Sequence, residues 1–339
     1  MKAAIYHGKN DVRVEERDIP KIGSKDILVK NLYGGICGTD INIVKVGSEM
    51  GIRFGREFGH EMAGIVAEVG RDVVKDIHPG ILVGVNPVTA KRVGRRWSLE
   101  CGAFSQYVVV EDAELNVNFF KFDSDVSAKT AALMEPVSVG RHGAFSVNPQ
   151  PHENIVVLGA GPIGLSAVGC LLAEDIKNVC VVDVDHWRLQ KAAELGAKTI
   201  NTAEENLSES LSKHFGEVDV YGKMVPDVDA FIDAAGASML FERVLDIVKP
   251  HARIAVVAVY KQAIPVGLAQ VMSKEVQIIG ASGYTTEDIL RAVEHLSNPQ
   301  TKLDTLITHV FKLDEVQQAF EVAIDARETV KVLIELHQQ

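Results

Sequence analysis

Gly159-Ala160-Gly161-Pro162-Ile163-Gly164 lies between the apolar run Ile155-Val156-Val157-Leu158 and a segment carrying Leu165, Val168 and Leu172 at helical spacing. A glycine turn that joins a strand to a helix in this way admits few folds. The first glycine permits the tight turn, the second lets a pyrophosphate approach the backbone, and the third lets helix and strand pack closely. With Pro162 and Ile163 opening the helix, its start offers free N–H groups and a positive dipole end to phosphate. Val179-Cys180-Val181-Val182-Asp183 reads as the next strand and ends on an acid nineteen residues after Gly164. Asp183 is expected to accept hydrogen bonds from adenosine ribose hydroxyls and to repel a 2′-phosphate, which favours NAD over NADP. Arg188 either lies along the adenine or is a solvated helix residue.

The surrounding sequence extends this pattern. Apolar runs alternating with helix-period segments, the signature of a parallel sheet covered on both faces, begin near residue 151 and continue to 296. Further buried strands are expected at Val228–Ile232, Arg253–Val259 and Val276–Ile279, with helices over Ser238–Val248 and Glu287–Leu296, and a helix after Asp183 that stops at Gly196. Asp233-Ala234-Ala235-Gly236 and Gly280-Ala281-Ser282-Gly283 then fall at the carboxyl edge of the sheet, where Ala235 and Gly236 would line the nicotinamide half of a dinucleotide site. The late strands suggest a buried sheet edge that pairs with a second subunit. Residues 1–150 differ, being short strands such as Val12-Arg13-Val14-Glu15 and Asp26-Ile27-Leu28-Val29-Lys30 separated by turns. Residues 297–339 carry a helix with Leu313, Val316, Phe320 and Ala323 and a strand with alternating Val332, Ile334 and Leu336, and they are assigned back to the first domain. Two domains also suit a chain of 339 residues.

Bulk composition removes several function classes. A net charge of −11 argues against nucleic acid, whose binding needs a basic face. The cysteines at 37, 101, 170 and 180 contain no Cys-x-x-Cys pair, so neither a disulfide scaffold nor a four-thiolate zinc site is written here, and a reducing cytoplasm fits. No leader-like apolar core opens the sequence, and the apolar stretches are too short to span a bilayer.

The chemistry sits in the first domain. Gly34-Gly35-Ile36-Cys37-Gly38-Thr39-Asp40 and Gly59-His60-Glu61-Met62-Ala63-Gly64 offer a thiolate, an imidazole and a carboxylate beside tight glycine turns. That donor set suits a catalytic zinc, with three protein ligands and a fourth position open to water or substrate. Pro136 disfavours helical geometry at residue 135 and favours a helix start after it, which places Glu135 at a rigid entry where its carboxylate can be aimed. For Glu61, adjacency to His60 leaves open whether it faces the ion or solvent.

In this order, Cys37-Gly38-Thr39-Asp40, Gly59-His60-Glu61-x-x-Gly64 with Gly70, Glu135-Pro136 and Gly159-x-Gly161-x-x-Gly164 resemble the zinc-dependent medium-chain dehydrogenases, in particular the polyol (sorbitol) and threonine dehydrogenase branch. The resemblance runs over essentially the whole chain. It implies an α/β architecture with a GroES-like β-rich catalytic domain and a Rossmann domain, the doubly wound parallel sheet. It also implies Cys37 and His60 as zinc ligands, Glu61 and Glu135 as alternatives for the third place, and Thr39 as the first proton carrier. The activity it implies is oxidation of a secondary alcohol, such as a polyol, sugar acid or similar metabolite, with NAD, in a cytoplasmic homodimer or homotetramer that engages neither nucleic acid nor membrane. A zinc-free quinone or enal reductase of the same fold, or a non-catalytic dinucleotide-binding regulator, are the competing readings.

Two departures from that branch stand out. The position three after Thr39 is Asn42, which cannot titrate near neutrality and so cannot finish a proton relay. Where the branch carries four closely spaced cysteines for a structural zinc, this chain has residues 88–100 with Cys101 alone nearby, so one zinc per subunit is expected and Cys101 is a structural or incidental thiol. The cations Lys91, Arg92, Arg95 and Arg96, with Trp97 beside them, are either a solvated loop or a site for a substrate anion. His78, His142 and His309 default to packing or hydrogen bonding.

Overall fold

The computed structural model describes residues 1–47, 52–73, 76–92 and 99–337. The chain divides into two compact units. One comprises Met1–Glu135, Ile289–Pro299 and Asp304–Gln339, and the other Pro136–Asp288 with Gln300–Leu303.

The hub of the first unit is the strand Ile27–Gly35. Its seven-stranded sheet runs in the order Ile307–Lys312, Lys331–Glu335, Ile27–Gly35, Glu61–Val69, Leu82–Val85 and Phe119–Lys121, with Tyr107–Val110 also paired to the hub. Antiparallel register sets Gly35 opposite both Glu61 and Leu333. Three segments remote in sequence therefore meet at one end of the hub. A glycine is required there, because a Cβ on Gly35 would stand 2.3 Å from Oε2 of Glu61. A smaller antiparallel sheet joins Asp11–Glu16, Lys2–Gly8 and Arg56–Glu57.

Aromatic packing ties the later residues into this unit. Phe320, on the helix Val316–Asp325, stacks on Phe58 at 5.8 Å and meets Phe104 edge-on at the same distance, in a core with Leu313, Val316 and Ala319. The strand Lys331–Glu335 was expected to alternate inside and outside. Instead Lys331, Val332, Leu333 and Ile334 are all buried, because the strand lies inside the sheet and is covered on both faces.

The second unit is built on a six-stranded parallel sheet in the order Lys198–Asn201, Val179–Asp183, Ile155–Leu158, Ala230–Asp233, Arg253–Val256 and Gln277–Gly280. It is the doubly wound order, with the direction of winding reversing between Ile155–Leu158 and Ala230–Asp233. Helix Pro162–Ala173 follows the first strand, with Pro162 in its first turn and its body from Gly164 to Leu171 buried. Helix His186–Leu195 starts on Asp185, whose side chain accepts from the Arg188 N–H, and ends at Gly196 in the left-handed conformation. Helices Ser238–Ile247 and Thr286–Ser297 lie close to their expected ranges.

Three differences from the sequence reading have physical causes. Lys198–Asn201 is a sixth strand that the reading missed, since only Ile200 in it is fully apolar and an edge strand needs no long apolar run. Arg253–Val259 stops as a strand at Val256, where the chain turns off the sheet. The last strand, Gln277–Gly280, is not buried: Gln277, Ile278 and Gly280 are exposed along it. Among the described residues no helix is long and apolar enough to cross a membrane.

Candidate metal centre and nucleotide-binding turn

Cys37 caps the N-terminus of helix Gly38–Val46, two residues beyond the hub strand, and His60 stands immediately before the strand Glu61–Val69. The pairing of Gly35 with Glu61 brings these two chain segments side by side. One donor atom from each of Cys37, His60 and Glu61 falls within 4.8 Å of the other two. His60 and Glu61 are buried and Cys37 is half-buried. Sulfur, nitrogen and oxygen in this proximity form a donor set that suits zinc.

Asp40 organises the group from below. Its Oδ2 accepts the Cys37 backbone N–H at 2.9 Å, and its Oδ1 lies 3.4 Å from Nδ1 of His60. Neither of those last two atoms, both buried, has a hydrogen-bond partner. Burial disfavours charge on His60, but the nearby Asp40 and Cys37 outweigh it and raise the imidazole well above the ordinary histidine range. The negative charge that Asp40 and Cys37 place around His60 is of the sign that a divalent cation would need.

Lys331 is the residue that sequence reasoning missed. It is 2% exposed, and its Nζ donates to Oε1 and Oε2 of Glu61 at 2.9 and 2.6 Å and to the Ile36 carbonyl at 3.3 Å. Burial works against the ammonium, and the charges of Glu61 and Cys37 overcome it, so Lys331 holds its proton more firmly than an ordinary lysine. The one signal in the sequence was a charge inside the apolar run Val330-Lys331-Val332-Leu333-Ile334. Its partner lies 270 residues away, beyond any local pattern.

Glu135 opens the helix Met134–Phe145 with Pro136 behind it, and is half-buried. It does not belong to the close group of three donors, but it feels their charges. Burial, with Glu61 and Asp40 adding to it against His60 and Lys331, pushes its carboxyl up to about 7. Thr39 and Asn42 lie on the first turns of helix Gly38–Val46, both half-buried.

In the second unit the glycine turn has the shape its sequence requires. Gly159 has φ of +97° and packs against Ala235, while a Cβ on Gly164 would lie 1.9 Å from the Gly159 carbonyl oxygen. Around Gly161 a Cβ would meet nothing within 4 Å, so its backbone is open to a ligand. Gly161, Pro162 and Ile163 are half-exposed at the helix start. Asp183 is already engaged locally, with Oδ2 accepting from Ala160 N at 2.6 Å and Oδ1 from Val184 N and Asp185 N at 2.7 and 3.0 Å. It braces the turn as well as ending the second strand. Arg188 is half-buried on helix His186–Leu195. At the winding reversal, buried Asp233 accepts from Ala235 N and Gly236 N at 3.1 and 3.0 Å and from Tyr260 Oη at 2.7 Å, which fixes the loop that carries Ala235 and Gly236.

Residues 162–298 match the zinc-binding dehydrogenase family and residues 23–117 the alcohol dehydrogenase GroES-like domain. Sorbitol dehydrogenase of Rattus norvegicus is 30% identical over 339 aligned positions, which cover 94% of this chain and 91% of that protein. This chain belongs to the zinc-binding dehydrogenase family.

Members of this family are oxidoreductases that couple NAD(P) to alcohols and polyols. Galactitol 1-phosphate 5-dehydrogenase of Escherichia coli K12 is 26% identical, with 94% of this chain and 95% of that protein aligned. A crystal structure of an Escherichia coli CFT073 alcohol dehydrogenase with NADH superposes with a TM-score of 0.84 at 27% identity, over 99% of each chain. The two-part architecture, GroES-like and Rossmann, is the one read from the sequence.

Within this zinc-binding dehydrogenase the basic cluster is spent locally as far as it is described. Lys91 donates to the Val109 carbonyl, and Arg92 pairs with Asp26 and Asp112. Arg95, Arg96 and Trp97 lie outside the described residues. Cys101 is buried, and burial pushes its thiol up. His142 bonds Asp288, His78 the Pro79 carbonyl and His309 the Thr308 hydroxyl.

Proposed function

We propose that this chain is an NAD-dependent, zinc-containing dehydrogenase of a secondary alcohol, with a polyol, sugar acid or similar hydroxylated metabolite as substrate. The observation that carries this reading is the convergence of Cys37, His60 and Glu61 within 4.8 Å from two separate chain segments. Cys37 and His60 would hold the ion, with Glu61, or Glu135 in exchange with it, as the third ligand. Zinc, when bound, supplies Lewis acidity that lowers the pKa of a substrate hydroxyl. A single ion per subunit fits a chain whose Cys101 is a lone buried thiol.

The remaining steps belong to the protein. Asp40 aims the His60 ring and the Cys37 backbone, which fixes the ligand geometry. Thr39 Oγ1 accepts the substrate's hydroxyl proton and donates its own hydrogen to water or to the cofactor ribose, because Asn42 cannot carry it further. The carbinol hydride passes to NAD, leaving a ketone, NADH and one proton. Gly159, Gly161, Pro162, Ile163 and Gly164 receive the pyrophosphate at the helix N-terminus. Asp183 excludes the 2′-phosphate of NADP, Arg188 lies along the adenine, and Ala235 and Gly236 line the nicotinamide. We assign residues 1–150 with 297–339 to catalysis and 151–296 to NAD. The exposed terminal strand Gln277–Gly280 supports assembly as a homodimer or homotetramer, and the cysteine usage supports a cytoplasmic enzyme.

The test is zinc stoichiometry on the purified protein, with an NAD-reduction screen of polyols, sugar acids, hydroxy amino acids and phosphorylated polyols. Cys37→Ser is expected to abolish turnover while leaving NADH affinity within about threefold of wild type. An active, metal-free wild-type protein would refute the reading and point to the zinc-free reductases of the same fold.

A further inference from the structure

Glu61 has two claims on it. Both of its oxygens take the Lys331 ammonium, at 2.9 and 2.6 Å, while one of them also lies within 4.8 Å of the Cys37 and His60 donors. The position of this carboxylate is set by the strands. Gly35 lies against Oε2 so closely that a Cβ there would come within 2.3 Å, and Lys331 is anchored to the Ile36 carbonyl and enclosed in the sheet. Lys331 is buried, and its three hydrogen bonds hold its ammonium beside Glu61.

We infer that Lys331 is a positioning residue that restrains Glu61 against the pull of an ion held by Cys37 and His60, making Glu61 a tethered and readily released third ligand. The inference rests on the zinc reading of the preceding subsection. A carboxylate shared with a buried ammonium has less negative charge to give a divalent ion, and the ammonium repels that ion directly. A third ligand that lets go easily clears room for an incoming hydroxyl without dismantling the Cys37 and His60 bonds. Glu135 is the other carboxylate whose charge acts on Lys331.

The sign of the effect separates this role from a structural one. Loss of an ordinary supporting residue around a metal weakens binding, commonly by about 10- to 100-fold. Removing a restraint strengthens it. Zinc affinity of the full-length protein is measured by competition with a chromophoric chelator for wild type, Lys331→Met, Lys331→Arg, Glu61→Gln and the Glu61→Gln/Lys331→Met double variant, with the visible spectrum of the cobalt-loaded forms as a second readout. Lys331→Met is expected to bind zinc about tenfold tighter or more, with a shifted cobalt spectrum, and Lys331→Arg to stay within about threefold of wild type. In the Glu61→Gln background the effect of Lys331→Met should vanish. Should Lys331→Met fail to fold, Lys331→Gln is read by the same criteria. Unchanged or weaker zinc binding in a folded neutral variant, or an equal gain in the Glu61→Gln background, overturns the inference while leaving the zinc reading intact. A wild-type protein that binds no zinc overturns both.

Discussion

Gly35→Ala and Gly38→Ala make the same chemical change three residues apart, and the structure requires opposite results. At Gly35 the new methyl carbon would stand 2.3 Å from Oε2 of Glu61 and 3.2 Å from its Cβ. The first distance is more than about 1 Å inside the separation of roughly 3.5 Å at which such atoms attract. That oxygen cannot simply retreat, because Lys331 Nζ holds it at 2.6 Å in a buried pair. Overpacking of this kind costs about 1–3 kcal/mol, and breaking a buried ion pair about 3–5 kcal/mol. Partial displacement of Glu61 lies between, at about 2–4 kcal/mol. For a unit of this size that is a fall in Tm on the order of 5–10 °C. At Gly38 a Cβ meets nothing within 4 Å, and the residue opens a helix. Alanine there should be neutral or stabilising by up to about 1 kcal/mol. Calorimetry of the two variants, with zinc content measured on the same samples, is the assay. If Gly35→Ala melts within 1 °C of wild type, on the order of measurement error, and retains its zinc, the packing of Glu61 against the hub strand is wrong.

Two further predictions concern the second unit. Buried Asp288 accepts from Arg141, His142 and both the N–H and hydroxyl of Thr285, so Asp288→Ala is expected to cost about 3 kcal/mol in urea unfolding. Burial would raise the Asp288 carboxyl, but the bonds from Thr285, His142 and Arg141 hold it below the usual range. Its contribution is therefore present above the unfolded carboxylate pKa and lost as pH falls through the folded one, and Asp288→Ala should flatten that acid limb. Asp183→Ser removes both the charge proposed to face the ribose and the carboxylate acceptor for Ala160 N, and should narrow the preference for NAD over NADP by about tenfold, read from the two dissociation constants. An unchanged ratio would mean that Asp183 serves only to brace the turn.

Much of this molecule is legible from short stretches of sequence, and the illegible parts have separate causes. The glycine turn, its flanking strand and helix, and Asp183 are encoded within some thirty residues, so spacing alone finds them. Cys37 and His60 are legible because a thiol and an imidazole beside glycine turns have few other uses. The short edge strand Lys198–Asn201 was not, because its polar residues give no apolar run. Lys331 was read past because its contact with Glu61 depends on the register between Lys331–Glu335, Ile27–Gly35 and Glu61–Val69, which no local pattern encodes. The apparent alternation at Val332, Ile334 and Leu336 was a true pattern with the wrong implication, since Lys331 and Leu333 between and beside them are buried as well.

The central place of Lys331–Glu335 in its sheet bears on how the protein is made. Residues 136–288 are nearly a complete unit by themselves and can collapse while translation continues. The Tyr33–Gly35 end of the hub strand, translated far earlier, must wait with one edge unpaired until residue 335 has cleared the ribosome. Glu61 waits with it, since the ammonium that neutralises it arrives on the same late segment. Nascent chains stalled before residue 331 would therefore lack both the strand that pairs with Tyr33–Gly35 and the ammonium that pairs with Glu61.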